Sequence, residues 1–228
     1  MKTLYRGKIF TFNQSANLQN LQGVIPDALF VNDERFTFLR DGAIIVENGK
    51  ISAVGDYSEI SSLLGSEDKT VDYRGKLIAP GFIDTHIHAT QTSSVSAYGE
   101  KLLTWLDNYV FPSEVAFNSE QSGRREYDIL LKQLFKNGTT SICAYLPTSY
   151  DGADLVFEMT DKYNMRVIMG NTIMTDGNAK LITNPQTSMK ISEKLYNKWH
   201  GVNRSSYALT PRFALSCTDE TLGLCREF

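Results

Sequence analysis

The chain holds three histidines, His86, His88 and His200, and two of them stand one residue apart in Pro80-Gly-Phe-Ile-Asp-Thr-His-Ile-His-Ala-Thr-Gln91. The apolar residues ahead of the pair read as a β-strand. Strand side chains alternate between faces, so His86 and His88 share one face and Ile87 takes the other. Two imidazoles converging at the carboxyl end of a strand are donors for a first-row metal ion, zinc above all. Neutral imidazole binds zinc at about 2.0–2.1 Å, and the bound water ionises near about pH 7. Two ligands still fall short of a hydrolytic zinc site, which has three from the protein. Asp84 has two readings: it orients a ligand imidazole from behind, or it caps a turn at the strand end. His200 follows a helical pattern that ends at Trp199 and reads as a surface histidine near a helix C-terminus, not as a ligand.

The elements that must position this pair change character along the chain. Residues 1–75 read as β: strands at 4–12, 28–31, 36–39, 43–47 and 50–54, with a polar loop at 14–26. Asn48-Gly49 between the last two is a two-residue hairpin signal, because both turn positions take positive φ. A short amphipathic helix at 58–64 and a strand at 70–73 follow. From residue 76 onward, apolar strands at 77–83, 139–145, 166–169 and 207–210 alternate with helical stripes. Those stripes are Tyr127, Leu130, Leu131 and Leu134 (closed by Gly138), then Leu155, Met159 and Tyr163, then Ile191, Leu195 and Trp199. A further helix begins at 219–228. Alternating apolar strands and amphipathic helices make a parallel α/β sheet, covered on both faces or closed into a barrel. A (β/α)8 barrel needs eight strands and typically about 250 residues. The expected fold is therefore α/β, with an N-terminal β-sandwich segment over 1–75. The first half of a TIM-type barrel follows over 76–228, truncated after the fourth strand.

Composition narrows the function classes. Against 23 Lys+Arg stand 26 Asp+Glu, for a net charge of −3, and the pI is near 5.7. That balance argues against nucleic acid or a membrane surface as partner, since either calls for clustered Lys and Arg. No apolar run approaches the roughly 20 residues that span a bilayer, and the N-terminus has no signal-like apolar stretch. The three cysteines, Cys143, Cys217 and Cys225, lack C-x-x-C spacing and read as unpaired thiols of a reducing compartment. A soluble cytoplasmic protein is the expectation. The Cys-ligated deaminase motif, glycine-rich phosphate loops and a G-x-S-x-G nucleophile turn are all missing from the sequence.

The run Pro80–Gln91 closely resembles the metal-binding strand of the amidohydrolase superfamily. Three further segments are similar to its guanine deaminase branch: Gly99-Glu-Lys-Leu-Leu-Thr-Trp-Leu-Asp-Asn-Tyr-Val-Phe-Pro-Ser-Glu114, Lys136-Asn-Gly-Thr-Thr140 and Thr210-Pro-Arg-Phe-Ala214. The resemblance runs from about residue 43 to residue 228. It implies hydrolysis of guanine to xanthine and ammonia with one zinc ion, His86 and His88 serving as metal ligands. It also implies that Gln91 and Arg212 meet the polar edge of the purine and that Phe213 lines its pocket. The chemistry of these side chains agrees with that. An Arg fork suits guanine O6 and N7, Gln offers a donor and an acceptor, and an aromatic ring gives a purine a stacking surface. Read without the family, Arg212 is sooner a surface or ion-paired arginine and Phe213 a packing residue, since motifs this short are weak signals. Trp105 either shapes the pocket mouth or belongs to a helix core.

The family's remaining ligands and proton-carrying residues, a His followed by a Glu, another His and an Asp, have no counterpart up to Phe228. No general acid or base is therefore identifiable, and the chain by itself is expected to be inactive. Three readings stay open: the N-terminal half of a guanine deaminase, part of a related aminohydrolase for another heterocycle, or a non-catalytic remnant. The resemblance makes a homodimer plausible.

Overall fold

The computed structural model describes residues 1–12, 36–99 and 101–228. The expected strand at 28–31 and loop at 14–26 lie outside them. The chain forms two compact units, Met1–Pro80 and Gly81–Phe228.

The first unit is a four-stranded sheet in the order β3-β2-β1-β4. β1 (Lys2–Phe12) runs antiparallel to β2 (Phe36–Glu47), which turns through Asn48 and Gly49, at φ 51° and 74°, into β3 (Lys50–Asp56). Both turn residues are left-handed, as the hairpin reading requires. Leu4, Ala43 and Ile45 are buried, with Tyr57, Ile60 and Leu64 packed against them from α1 (Tyr57–Ile60) and the 3₁₀ turn behind it.

Two boundaries differ from the sequence reading. Segments 36–39 and 43–47 are one strand, because a register shift between Gly7 and Ile9 carries the pairing past Gly42. Leu77 and Ile78 end β4 (Lys69–Ile78), which runs parallel to β1 with Ile9 opposite Ile78. The stretch expected as one strand at 77–83 thus breaks at Pro80, which has no N–H to give a ladder.

The second unit carries a parallel sheet in the order β5 (Phe82–His88), β6 (Thr139–Leu146), β7 (Arg166–Ile173) and β8 (Ser205–Tyr207). β9 (Thr210–Pro211) pairs with β7 beyond β8. Between β5 and β6 come α2 (Leu102–Trp105), a π-helical turn (Leu106–Val110), α3 (Phe111–Ala116) and α4 (Glu120–Lys136). α5 (Tyr150–Lys162) and α6 (Pro185–Trp199) cross over to β7 and β8, and α7 (Asp219–Glu227) follows. Ser119, Ser149, Asn184 and Thr218 cap four of these helices with side-chain oxygens. On β6, Ile142, Ala144 and Leu146 turn into a core shared with Tyr127, Leu131, Leu155, Phe157, Leu195 and Trp199. Phe157 is fully buried and stacks on Trp199 at 5.6 Å, although it lies off the stripe predicted for that helix. Tyr163, expected in the stripe, is exposed and donates to Asp128 instead.

The strand expected at 207–210 is split into β8 and β9. Where it breaks, Ala208 donates to Met169 O at 2.9 Å and lies so close to Gly170 that a Cβ there would sit 1.9 Å from Ala208 O. Glycine at 170 is what permits the close backbone approach. Beyond the break, Arg212 N donates to Ile173 O at 3.1 Å, which continues the ladder and fixes where Arg212 emerges.

Candidate active site

β5 does not run straight into its histidines. Between the pairs Asp84–Ile142 and Ile87–Ala144 it advances three residues against two on β6, which makes a bulge. The Asp84 carboxylate accepts from His86 N at 3.1 Å, inside that bulge. Of its two sequence readings, the contact it makes is the local cap. Past the bulge the rings of His86 and His88 stand 5.3 Å apart at 75°. Tyr145, on the face of β6 opposite the helical core, stacks on His88 at 4.7 Å and meets the edge of His86 at 5.3 Å. Its hydroxyl donates to Pro211 O at 3.4 Å.

Burial, together with the positive charge of Arg212 and the neighbouring His86, pushes the His88 pKa down to about 3. His88 is thus the neutral imidazole that metal ions bind. For the same reason its 3.9 Å approach to Glu114 is not an ion pair.

Glu114 is the centre of the polar network. It lies in α3 with its side chain 6% exposed. One carboxylate oxygen accepts from Gln91 Nε2 at 2.9 Å, and the other pairs with Arg212 Nη1 at 2.5 Å. The Arg212 side chain is 5% exposed, and its guanidinium lies 5.2 Å over the ring of Phe111. Ser113 beside Glu114 donates to Thr90 O at 2.6 Å, tying α3 to the segment that carries Gln91. A half-buried Trp105 precedes the π-helical turn and donates from its indole to Ala97 O at 2.9 Å. Such turns recur at functional sites.

His86, His88, Gln91, Trp105, Arg212 and Phe213 line a single cleft of about 400 Å³. These are the six residues that the sequence singled out for metal or substrate. His200 stands apart, exposed, stacked on Tyr196 and accepting from Tyr207 N. Among the described residues no three His, Cys, Asp or Glu side chains are grouped to hold a metal ion. The donor set suits zinc in type, two imidazoles with ring centroids 5.3 Å apart, but supplies only two of the ligands a hydrolytic site uses.

Sequence reasoning missed Glu114 and Tyr145. Glu114 left a trace, a single carboxylate in the apolar stretch Val110-Phe-Pro-Ser-Glu-Val-Ala116. A charge so placed is buried only with a partner.

Residues 77–228 match the profile described as the Amidohydrolase family. The chain belongs to that family. Among curated amidohydrolase relatives, the guanine deaminase of Escherichia coli (strain K12) is 36% identical over 83% of this chain and 44% of its own length. The crystal structure of guanine deaminase from Bradyrhizobium japonicum superposes with a TM-score of 0.87 and 31% identity, covering 100% of this chain and 47% of that one. Guanine deaminase from C. acetobutylicum, solved with guanine bound in its active site, gives 0.81 and 27%, covering 100% and 50%. This amidohydrolase chain therefore spans about half the length of the relatives it matches. No helix among its described residues is long and apolar enough to cross a membrane.

Proposed function

We propose that the cleft is the N-terminal share of a guanine aminohydrolase site, which turns guanine and water into xanthine and ammonia. The observation that carries this reading is the convergence of two metal-type imidazoles with Gln91, Arg212 and Phe213 on one cleft. The guanine deaminases similar to this chain support it. On this reading the parallel sheet β5–β9 is the first half of a barrel, and the N-terminal unit is part of a composite β-sandwich.

In the reaction, water oxygen bonds to C2 and the bond from C2 to the exocyclic nitrogen breaks. One water proton leaves with the amine as ammonia and the other ends on a ring nitrogen. Arg212 donates to the acceptors O6 and N7 of the purine, Gln91 meets a neighbouring position on its edge, and Phe213 offers a stacking face. His86 and His88 would hold a zinc ion, which supplies an acidified water. Glu114 is already taken up by Gln91 and Arg212, so no proton transfer is assigned to a residue of this chain. The isolated chain is expected to bind guanine without releasing ammonia.

Quenching of Trp105 fluorescence by guanine, with adenine as the control, tests the substrate class. Adenine carries an amino group in place of O6 and so cannot accept from Arg212 at both positions. The expected result is quenching by guanine at concentrations about tenfold or more below those adenine requires. Equal response to both bases, or to neither, would overturn the guanine assignment. Sustained ammonia release by the isolated chain would overturn the incomplete site.

A further inference from the structure

The guanine reading leaves Glu114 without a task, although it is a buried charge behind the cleft and bonds to both proposed substrate-edge residues. Resting on that reading, we infer that Glu114 is a positioning residue that fixes which atoms of Gln91 and Arg212 face the purine. A carboxylate only accepts hydrogen bonds, so the Gln91 amide must turn its NH2 toward Glu114. Gln91 Oε1 is left over, and no described residue donates to it. Gln91 is thereby set as an acceptor for a ligand N–H.

The same carboxylate occupies Nη1 of Arg212, and no described residue accepts from its Nε or Nη2. Glu114 thus sets one acceptor beside fixed donors, matching a purine edge on which an N–H adjoins a carbonyl or ring nitrogen. The contacts span 23 and 98 residues of sequence, so a single side chain joins the β5 end, α3 and the β9 end into one recognition surface. Both oxygens being used, Glu114 acts through its two partners and not on the reacting atoms.

The test compares the wild-type chain with Glu114→Gln, which keeps the shape but lets the Gln91 amide turn either way. Folding is checked by far-UV circular dichroism. The substrate-independent readout is NMR of the Gln91 side-chain amide and the Arg212 guanidinium. In the wild type both should give hydrogen-bonded, exchange-protected signals. In folded Glu114→Gln the Arg212 protection should fall at least about tenfold and the Gln91 amide signals should shift or broaden. Guanine quenching of Trp105 should weaken about tenfold or more in the same variant. Unchanged signals and unchanged quenching in folded Glu114→Gln would overturn the inference. A wild type that ignores guanine yet loses both protected signals on substitution would refute the substrate and keep the positioning role. If Glu114→Gln does not fold, Glu114→Asp replaces it. Its shorter carboxylate should keep one partner's protected signal and lose the other's, and retention of both would overturn the inference.

Discussion

Replacing Arg212 with alanine tests the energetics of the cleft wall most sharply. The pair it breaks is almost wholly removed from water, with Arg212 and Glu114 side chains 5% and 6% exposed and 2.5 Å apart. Removing one partner of a buried pair leaves an uncompensated charge and costs about 3–5 kcal/mol. Gln91 still donates to Glu114 in the variant, and the cleft admits water to the vacated side, so the expected loss is the lower figure, about 3 kcal/mol. For a unit of this size that corresponds to a fall of roughly 6–12 °C in Tm. Both tryptophans, Trp105 and Trp199, lie within Gly81–Phe228, so urea unfolding followed by tryptophan emission reports this unit. Adding Glu114→Gln to Arg212→Ala removes the orphaned charge and should recover at least about 1 kcal/mol. A cost below about 1 kcal/mol for Arg212→Ala, as solvated pairs give, would refute the reasoning. A double variant less stable than the single one would refute it too.

Three other outcomes follow from the packing and the titration of the site. Phe157→Ala should cost about 3–5 kcal/mol, since the ring is fully buried and its removal leaves a cavity beside Trp199; urea titration measures it, and less than about 1 kcal/mol would contradict the packing. Gly170→Ala should destabilise by at least about 2 kcal/mol, because the new Cβ collides with backbone that cannot rotate away. It should also abolish guanine quenching by moving the segment that carries Arg212. His88 takes up its proton near pH 3 when folded and near 6.5 when unfolded, so protons favour the unfolded chain between those values. Metal-free protein should therefore be indifferent to His88 above about pH 6.5 and lose up to a few kcal/mol as pH falls toward 3. Subtracting the profile of His88→Asn isolates that loss, and parallel profiles would contradict it.

What the sequence disclosed, and what it hid, divides by range of interaction. The Asn48-Gly49 hairpin was legible, because local backbone geometry determines it; the cap residues Ser119, Ser149, Asn184 and Thr218 were not named in advance. The His86/His88 pair was legible from strand alternation, although the bulge at Asp84 was not, since it depends on registry with β6. The strand boundary at Leu77–Ile78 was misplaced because β4 is held by pairing with β1, some 70 residues away. Arg212 and Phe213 were reached by family resemblance and not by pattern. Glu114 was passed over because its meaning lies in an ion pair 98 residues distant. Only the fold reveals that the arginine is spoken for.

The proposed function has this cleft receive guanine on Gln91 and Arg212 as Glu114 presents them. A crystal structure of the purified chain with guanine tests it most directly. The expected complex has the purine stacked at Phe213, Gln91 Oε1 accepting from a ring N–H or the amino group, Arg212 donating to O6 or N7, and both Glu114 contacts intact. Guanine bound elsewhere, or bound in this cleft with Glu114 detached from Gln91 and Arg212, would contradict it.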